Sequence, residues 1–189
     1  MRLTAALAAT AEGGAWIPVR FEAAFAGAAC VGSALTVSFE RGDNLALHRA
    51  IAEADRSHII VASGRGAGDA GHWGSLMTRA ALARGIGGLV IDGSIRDRAE
   101  LRGLGFPVYF RSTCPAKARK DDPGQVGAPI EIAGIRIATG DLVVADEDGV
   151  VVAPAALAAS IHAQAAEIAA REAVLESAFE RGEPPTLIP

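Results

Sequence analysis

Ile86-Gly87-Gly88-Leu89-Val90-Ile91, followed at once by Asp92-Gly93-Ser94-Ile95-Arg96-Asp97, is the stretch that decides the fold. The first half is an unbroken apolar run, the pattern of a buried strand. The second half sets a guanidinium beside a carboxylate just past the expected strand exit at Ile91. Arginine offers a planar fork of donors for a substrate carboxylate, and aspartate offers hard oxygen to Mg²⁺ or Mn²⁺. A local reading competes: Asp97-x-x-Glu100 ahead of Leu101 has the form of a capping box. The two roles can coexist, because a carboxylate has several lone pairs.

Working outward, Gly74 to Arg84 reads as a helix closed by Gly85. A strand is expected at His58–Ala62, and before it Val31–Phe39, with Asp43-Asn44 capping a helix to about Ala54. After the central stretch come a short helix from Asp97 to Leu104 and a strand from Pro107 to Arg111. Beyond a loop at Pro115–Gly127 the chain breaks into short β pieces, Pro129–Ile132, Ile135–Ile137, Leu142–Ala145 and Val150–Val152. Gly134, Gly140 and Gly149 punctuate them as hairpins do. Asp141, Asp146 and Asp148 lie beside these glycines and read as turn residues. Pro154 then opens a long alanine-rich helix to about Arg181. The expectation is one mixed α/β domain over residues 1–189, with a β-hairpin-rich layer and a C-terminal helix.

Composition limits the function. Half of the 189 residues are apolar, enough for a full core, and the formal net charge of −4 gives no basic footprint for nucleic acid. The densest basic stretch, Arg111–Lys120, runs straight into Asp121 and Asp122 and reads as a solvated loop. Cys30 and Cys114 have no metal or redox spacing, as suits a reducing cytosol. Met1 to Ala11 is short and alanine-rich, so an N-terminal helix is expected rather than a leader, and no run approaches a membrane span. A cytoplasmic protein follows. The four histidines show no zinc spacing.

Gly66-Ala67-Gly68-Asp69-Ala70-Gly71 matches the dinucleotide-binding G-x-G-x-x-G, with Asp92 at the end of the next strand. The same loop has a simpler reading. Gly74-Ser75-Leu76-Met77 forms the first turn of a helix, whose free N–H groups and dipole favour an anion. A plain glycine-rich connector is the third possibility.

Several segments taken in order resemble the family that contains regulator of ribonuclease activity A and the 4-hydroxy-4-methyl-2-oxoglutarate aldolases. They are Val31-Gly32-Ser33-Ala34-Leu35-Thr36-Val37, Gly42-Asp43-Asn44-Leu45-Ala46-Leu47-His48, Trp73-Gly74-Ser75-Leu76, Arg84 through Asp97, Gly105-Phe106-Pro107-Val108, and Gly140 through Val150. The resemblance covers most of residues 30–154. It implies a swivelling β/β/α fold, assembled as a homotrimer or homohexamer with sites between subunits. It also implies a divalent-metal-dependent lyase, cleaving a pyruvate-yielding 2-oxo acid by aldol cleavage or oxaloacetate decarboxylation through a metal-stabilised enolate. By position, the backbone of Gly74, Ser75, Leu76 and Met77 and the side chain of Arg96 hold the pyruvoyl group. The resemblance further implies that Asp97 would hold Mg²⁺ or Mn²⁺, directly or through water, and that Glu100 would orient a water on the metal. Ser75 departs from the acidic residue common there in aldolases, and the adjoining subunit is expected to add a carboxylate that this sequence does not identify. The same resemblance carries an alternative, a non-catalytic regulator that binds an RNA-degrading enzyme.

Overall fold

A computed structural model describes residues 4–182. Four parallel strands form its centre: β3 (Cys30–Ser38), β4 (His58–Ala67), β5 (Gly88–Ile95) and β6 (Val108–Thr113). They lie side by side in chain order, each joined to the next by a helix: α2 (Leu45–Glu53), α3 (Ser75–Ala83) and α4 (Arg98–Leu104). On the β3 side the sheet continues antiparallel through β10 (Leu142–Asp146), β11 (Gly149–Ala153) and β1 (Ala15–Trp16). The short β2 (Glu22–Ala23) closes the β6 edge, and β7 (Gln125–Val126) pairs with the end of β3.

Side-chain alternation explains why the central strands read as unbroken apolar runs. Leu35, Ile60, Leu89, Ile91 and Phe110 point to one face and pack with Leu47 and Ile51 of α2, Met77 and Ala81 of α3, and Leu101 of α4. Ala34, Ile59, Val61, Val90 and Tyr109 point to the other, where Ile130, Ile132 and Ile137 of the hairpin β8 (Ile130–Ile132) and β9 (Ile135–Ile137) cover them. Successive residues of a strand face opposite ways, so a strand covered on both sides needs no polar positions. A third cluster joins Leu142, Val144, Val151 and Ala153 to α1 (Ala5–Thr10) and to Ile161 and Ala165 of α5 (Ala158–Glu180). The layers are thus helices, large sheet and β-hairpin, with the C-terminal helix on the antiparallel flank, matching the α/β expectation.

The two strands that lead to the site run longer than their apolar runs. β5 continues to Ile95, so Asp92 lies inside a strand buried at every position rather than at its exit. Its carboxylate accepts from Arg111 Nη1 at 3.0 Å and from the Gly66 N–H at 3.1 Å. Likewise β4 runs to Ala67 through a shift in register between Ser63 and Ala67, with Arg65 and Gly66 both at positive φ. This bulge overturns the dinucleotide layout, because Gly66 belongs to a strand and α3 starts only at Ser75. Among the described residues no helix is long and apolar enough to cross a membrane, and residues 1–3 of the expected N-terminal helix lie outside them.

Candidate active site

Arg96 and Asp97 follow the carboxyl end of β5, and the first turn of α3 follows that of β4, so both lie where open α/β sheets take ligands. Two glycines make their approach possible. A Cβ on Gly71 would sit 2.7 Å from Arg96 Cβ, and one on Gly74 would sit 2.6 Å from Asp97 Oδ2. Any side chain at either position would push the pair away from α3.

Asp97 adopts a left-handed backbone, φ 58° and ψ 34°, which aspartate tolerates better than most residues. Its side chain makes no capping bond to α4, contrary to the capping-box expectation. Instead Asp97 Oδ2 accepts from the Ser75 N–H at 3.1 Å and lies 3.3 Å from Ser75 Oγ. The carboxylate therefore caps α3, a helix 22 residues earlier in the chain, since that helix begins on a glycine with no side-chain cap of its own. Its other oxygen accepts no hydrogen bond among the described residues. Arg96 Nε stands 3.7 Å from Asp97 Oδ2, and the two side chains are 39% and 33% exposed.

A cavity of about 100 Å³ brings Gly74, Leu76, Met77, Arg96 and Asp97 together. Ser75 touches it through Asp97, while Glu100 lies exposed on α4 outside the lining. Two wider hollows, of about 1070 and 730 Å³, lie elsewhere and include neither Arg96 nor Asp97. In the small cavity the α3 N-terminus, the Arg96 guanidinium and the Asp97 carboxylate converge.

The remaining lining includes residues the sequence reading left out: Asn44, His48, Lys117 and Lys120. Both lysines come from the basic stretch expected as a solvated loop; they are exposed as expected, and the loop is in addition a tethered strap. Ala118 is buried, and Ala116, Arg119, Asp121 and Asp122 all hydrogen-bond across it to residues 42–44 and 71. Asn44 does not cap α2 with its side chain. Its Nδ2 donates to the His72 carbonyl, and its buried Oδ1 has no partner among the described residues. The signal available in sequence was the cluster of cations at 111–120, and no local rule joins it to Gly42-Asp43-Asn44, some 70 residues earlier.

His48 is held below its ordinary pKa by burial and then by the charge of Lys120. His72, fully buried against Phe39, is also held down, by burial that outweighs the Ser94 hydrogen bond and the charges of Asp69 and Asp43. Both therefore take a proton less readily when folded than an unfolded histidine does near pH 6.5. The unfolded state thus binds more protons as pH falls, so the stability these groups allow is complete above about pH 6.5 and declines below it. Urea midpoints at pH 8 and pH 5 should differ in that direction, and His72→Gln should shrink the difference.

The layers define an α/β protein with a small cavity at the carboxyl ends of its parallel strands, lined by the α3 N-terminus, Arg96 and Asp97. The chain belongs to the family described as RraA-like, Aldolase/RraA, whose profile matches residues 10–152. A relative from Halalkalibacterium halodurans, named "Putative 4-hydroxy-4-methyl-2-oxoglutarate aldolase", is 40% identical over 124 residues, 66% of this chain and 59% of that protein's own length. Among solved structures, a protein of Pseudomonas syringae pv. tomato aligns with a TM-score of 0.80 and 34% identity, over 89% of this chain and 78% of that one. The RNA-processing inhibitor RraA from Thermus thermophilus aligns with a TM-score of 0.74 and 25% identity, over 82% and 93%.

Proposed function

We propose that this protein is a divalent-metal-dependent carbon–carbon lyase acting on small 2-oxo acids that yield pyruvate. The observation that carries it is the convergence of the α3 N-terminus, Arg96 and Asp97 on one cavity that Lys117 and Lys120 also line. The N–H groups of Leu76 and Met77 are early-turn donors that a helix leaves without intrahelical acceptors, and they suit the carboxylate of the pyruvoyl group. Arg96 reaches the 2-oxo oxygen and places fixed positive charge where negative charge develops. The strap lysines suit a second carboxylate, which favours a dicarboxylate over pyruvate itself. His48, neutral at pH 7, is placed to give or take a proton at the same cavity.

The residues fit a Mg²⁺ or Mn²⁺ held through few protein ligands. Among the described residues no three His, Cys, Asp or Glu side chains form a ligand cluster, as a structural zinc site would need. Asp97 keeps one carboxylate oxygen unengaged beside the cavity, and Mg²⁺ commonly binds one or two carboxylates plus water and substrate oxygens. Bound there, the ion would supply Lewis-acid polarisation of the 2-oxo group. Assembly as a trimer or hexamer, with a neighbouring subunit completing the ligand set, belongs to this same reading.

Pyruvate release from oxaloacetate and from 4-hydroxy-4-methyl-2-oxoglutarate, with Mg²⁺ and with chelator, tests the proposal. Turnover of neither would overturn it. The structural likeness to an RNA-processing inhibitor keeps a second reading open, in which the fold serves as a binding scaffold. Co-purification of a ribonuclease that survives Arg96→Ala, with no lyase turnover, would favour that one.

A further inference from the structure

We propose that Asp43 is a positioning residue, whose buried carboxylate ties the far end of the 114–122 strap to the start of α2 and so fixes Lys120 at the cavity that Arg96 also lines. The inference rests on the lyase reading for its effect on substrate, but its structural part stands alone.

Asp43 is 1% exposed, and both of its oxygens are engaged by backbone donors. Oδ1 accepts from the Leu45 N–H at 2.9 Å, the local turn that starts α2. That task needs one oxygen only, and a serine would serve. The second oxygen accepts from the Asp121 N–H at 2.7 Å and the Asp122 N–H at 3.2 Å, 78 and 79 residues further along the chain. Burial raises the Asp43 pKa, but the Leu45, Asp121 and Asp122 donors and then the Arg119 charge outweigh it, so the group stays an anion.

The strap is bound along its length by the same corner of the fold. Arg119 N–H donates to the Gly42 carbonyl at 2.7 Å, the Asn44 N–H to the Arg119 carbonyl at 3.0 Å, and the Gly71 N–H to the Ala116 carbonyl at 2.8 Å. Those bonds close the middle of the strap, and Asp43 closes its far end just beyond Lys120. Lysine side chains are long and flexible, so their usefulness in a cavity depends on where their backbone is held. Without the Asp43 tie the end of the strap lacks acceptors for two adjacent N–H groups, and Lys120 is held on its Arg119 side alone.

The test is Asp43→Ser, in which the hydroxyl can still start α2 but cannot reach the strap. Hydrogen exchange at amides 116–122 should accelerate at least about tenfold, while β5 amides keep wild-type rates. KM for oxaloacetate should rise about tenfold, the weight of one charge-assisted contact, with kcat within about threefold. Pyruvate, which lacks the second carboxylate, should bind within about twofold of wild type. Asp43→Asn keeps one acceptor oxygen and should fall between, which also covers a serine variant that fails to fold. Unchanged strap exchange overturns the proposal, as does equal weakening of oxaloacetate and pyruvate. A wild-type protein that turns over no oxaloacetate defeats the lyase reading instead, and the exchange rates then decide the role of Asp43 alone.

Discussion

Arg96→Ala should lower kcat/KM for pyruvate release by about a thousandfold, the scale seen when an oxyanion-type donor is removed, while the folded protein keeps most of its stability. The structural cost is small because Arg96 is 39% exposed and its ion-pair contact with Asp97 spans 3.7 Å. An exposed pair of that length contributes little to folding. The backbone N–H of Arg96, bonded to the Trp73 carbonyl at 2.8 Å, holds the segment whatever the side chain. The catalytic cost is large because no other guanidinium lines the cavity among the described residues. Arg96→Lys separates charge from shape. The ammonium restores positive potential but not the two-pronged donor geometry, so it should recover only part of the loss, and mainly in KM. Steady-state kinetics on oxaloacetate with a parallel thermal melt reads both quantities. An alanine variant within about threefold of wild-type kcat/KM would remove Arg96 from the chemistry.

Elements built on local periodicity were legible in the sequence, and contacts between distant segments were not. The strands at Val31, His58 and Ile86, the three connecting helices and the paired β8 and β9 all follow from apolar runs punctuated by glycine. Their ends were misjudged at Asp92 and at Ser63–Ala67, where polar or glycine residues continue the strand. In the first case Arg111 on the neighbouring strand neutralises the buried carboxylate, and in the second a bulge absorbs Arg65 and Gly66. The site shows the same division. Arg96, Asp97 and Gly74–Met77 were found because chemistry and family order coincide there. Asp97 was assigned the nearest helix start, and the structure gives it another, since the α3 N-terminus lacks a side chain at Gly74 and α4 has none of its early donors bonded to Asp97 Oδ2. The lysine strap was missed because its anchor, Asp43, lies 78 residues from Asp121. Lys117 and Lys120 are exposed, as a solvated charge should be, but the backbone that carries them is tied down by partners no local pattern reveals.

Asp97→Asn should abolish the response to divalent metal and lower kcat/KM at least about a hundredfold, while leaving the fold intact. The substitution separates two tasks that the carboxylate performs together. Its first task is to accept from the Ser75 N–H and to face Ser75 Oγ, and the carboxamide oxygen of asparagine can do both. The second is to present a negatively charged oxygen to a hard cation, which a neutral amide does poorly. Asparagine also tolerates the left-handed backbone at this position, so the chain path does not change. Asp97→Ala removes both tasks and also sets alanine in the left-handed region, so it should cost at least about 1 kcal/mol of stability in addition, the usual weight of a lost helix cap alone. The pair of variants therefore distinguishes a cap from a ligand. Calorimetric titration with Mn²⁺ gives a readout independent of turnover, and asparagine should weaken binding by at least about tenfold, as expected when a charged oxygen donor is lost. An asparagine variant that binds Mn²⁺ like wild type would leave Asp97 as a cap alone, and the metal would then have to be held by carboxylates outside this cavity.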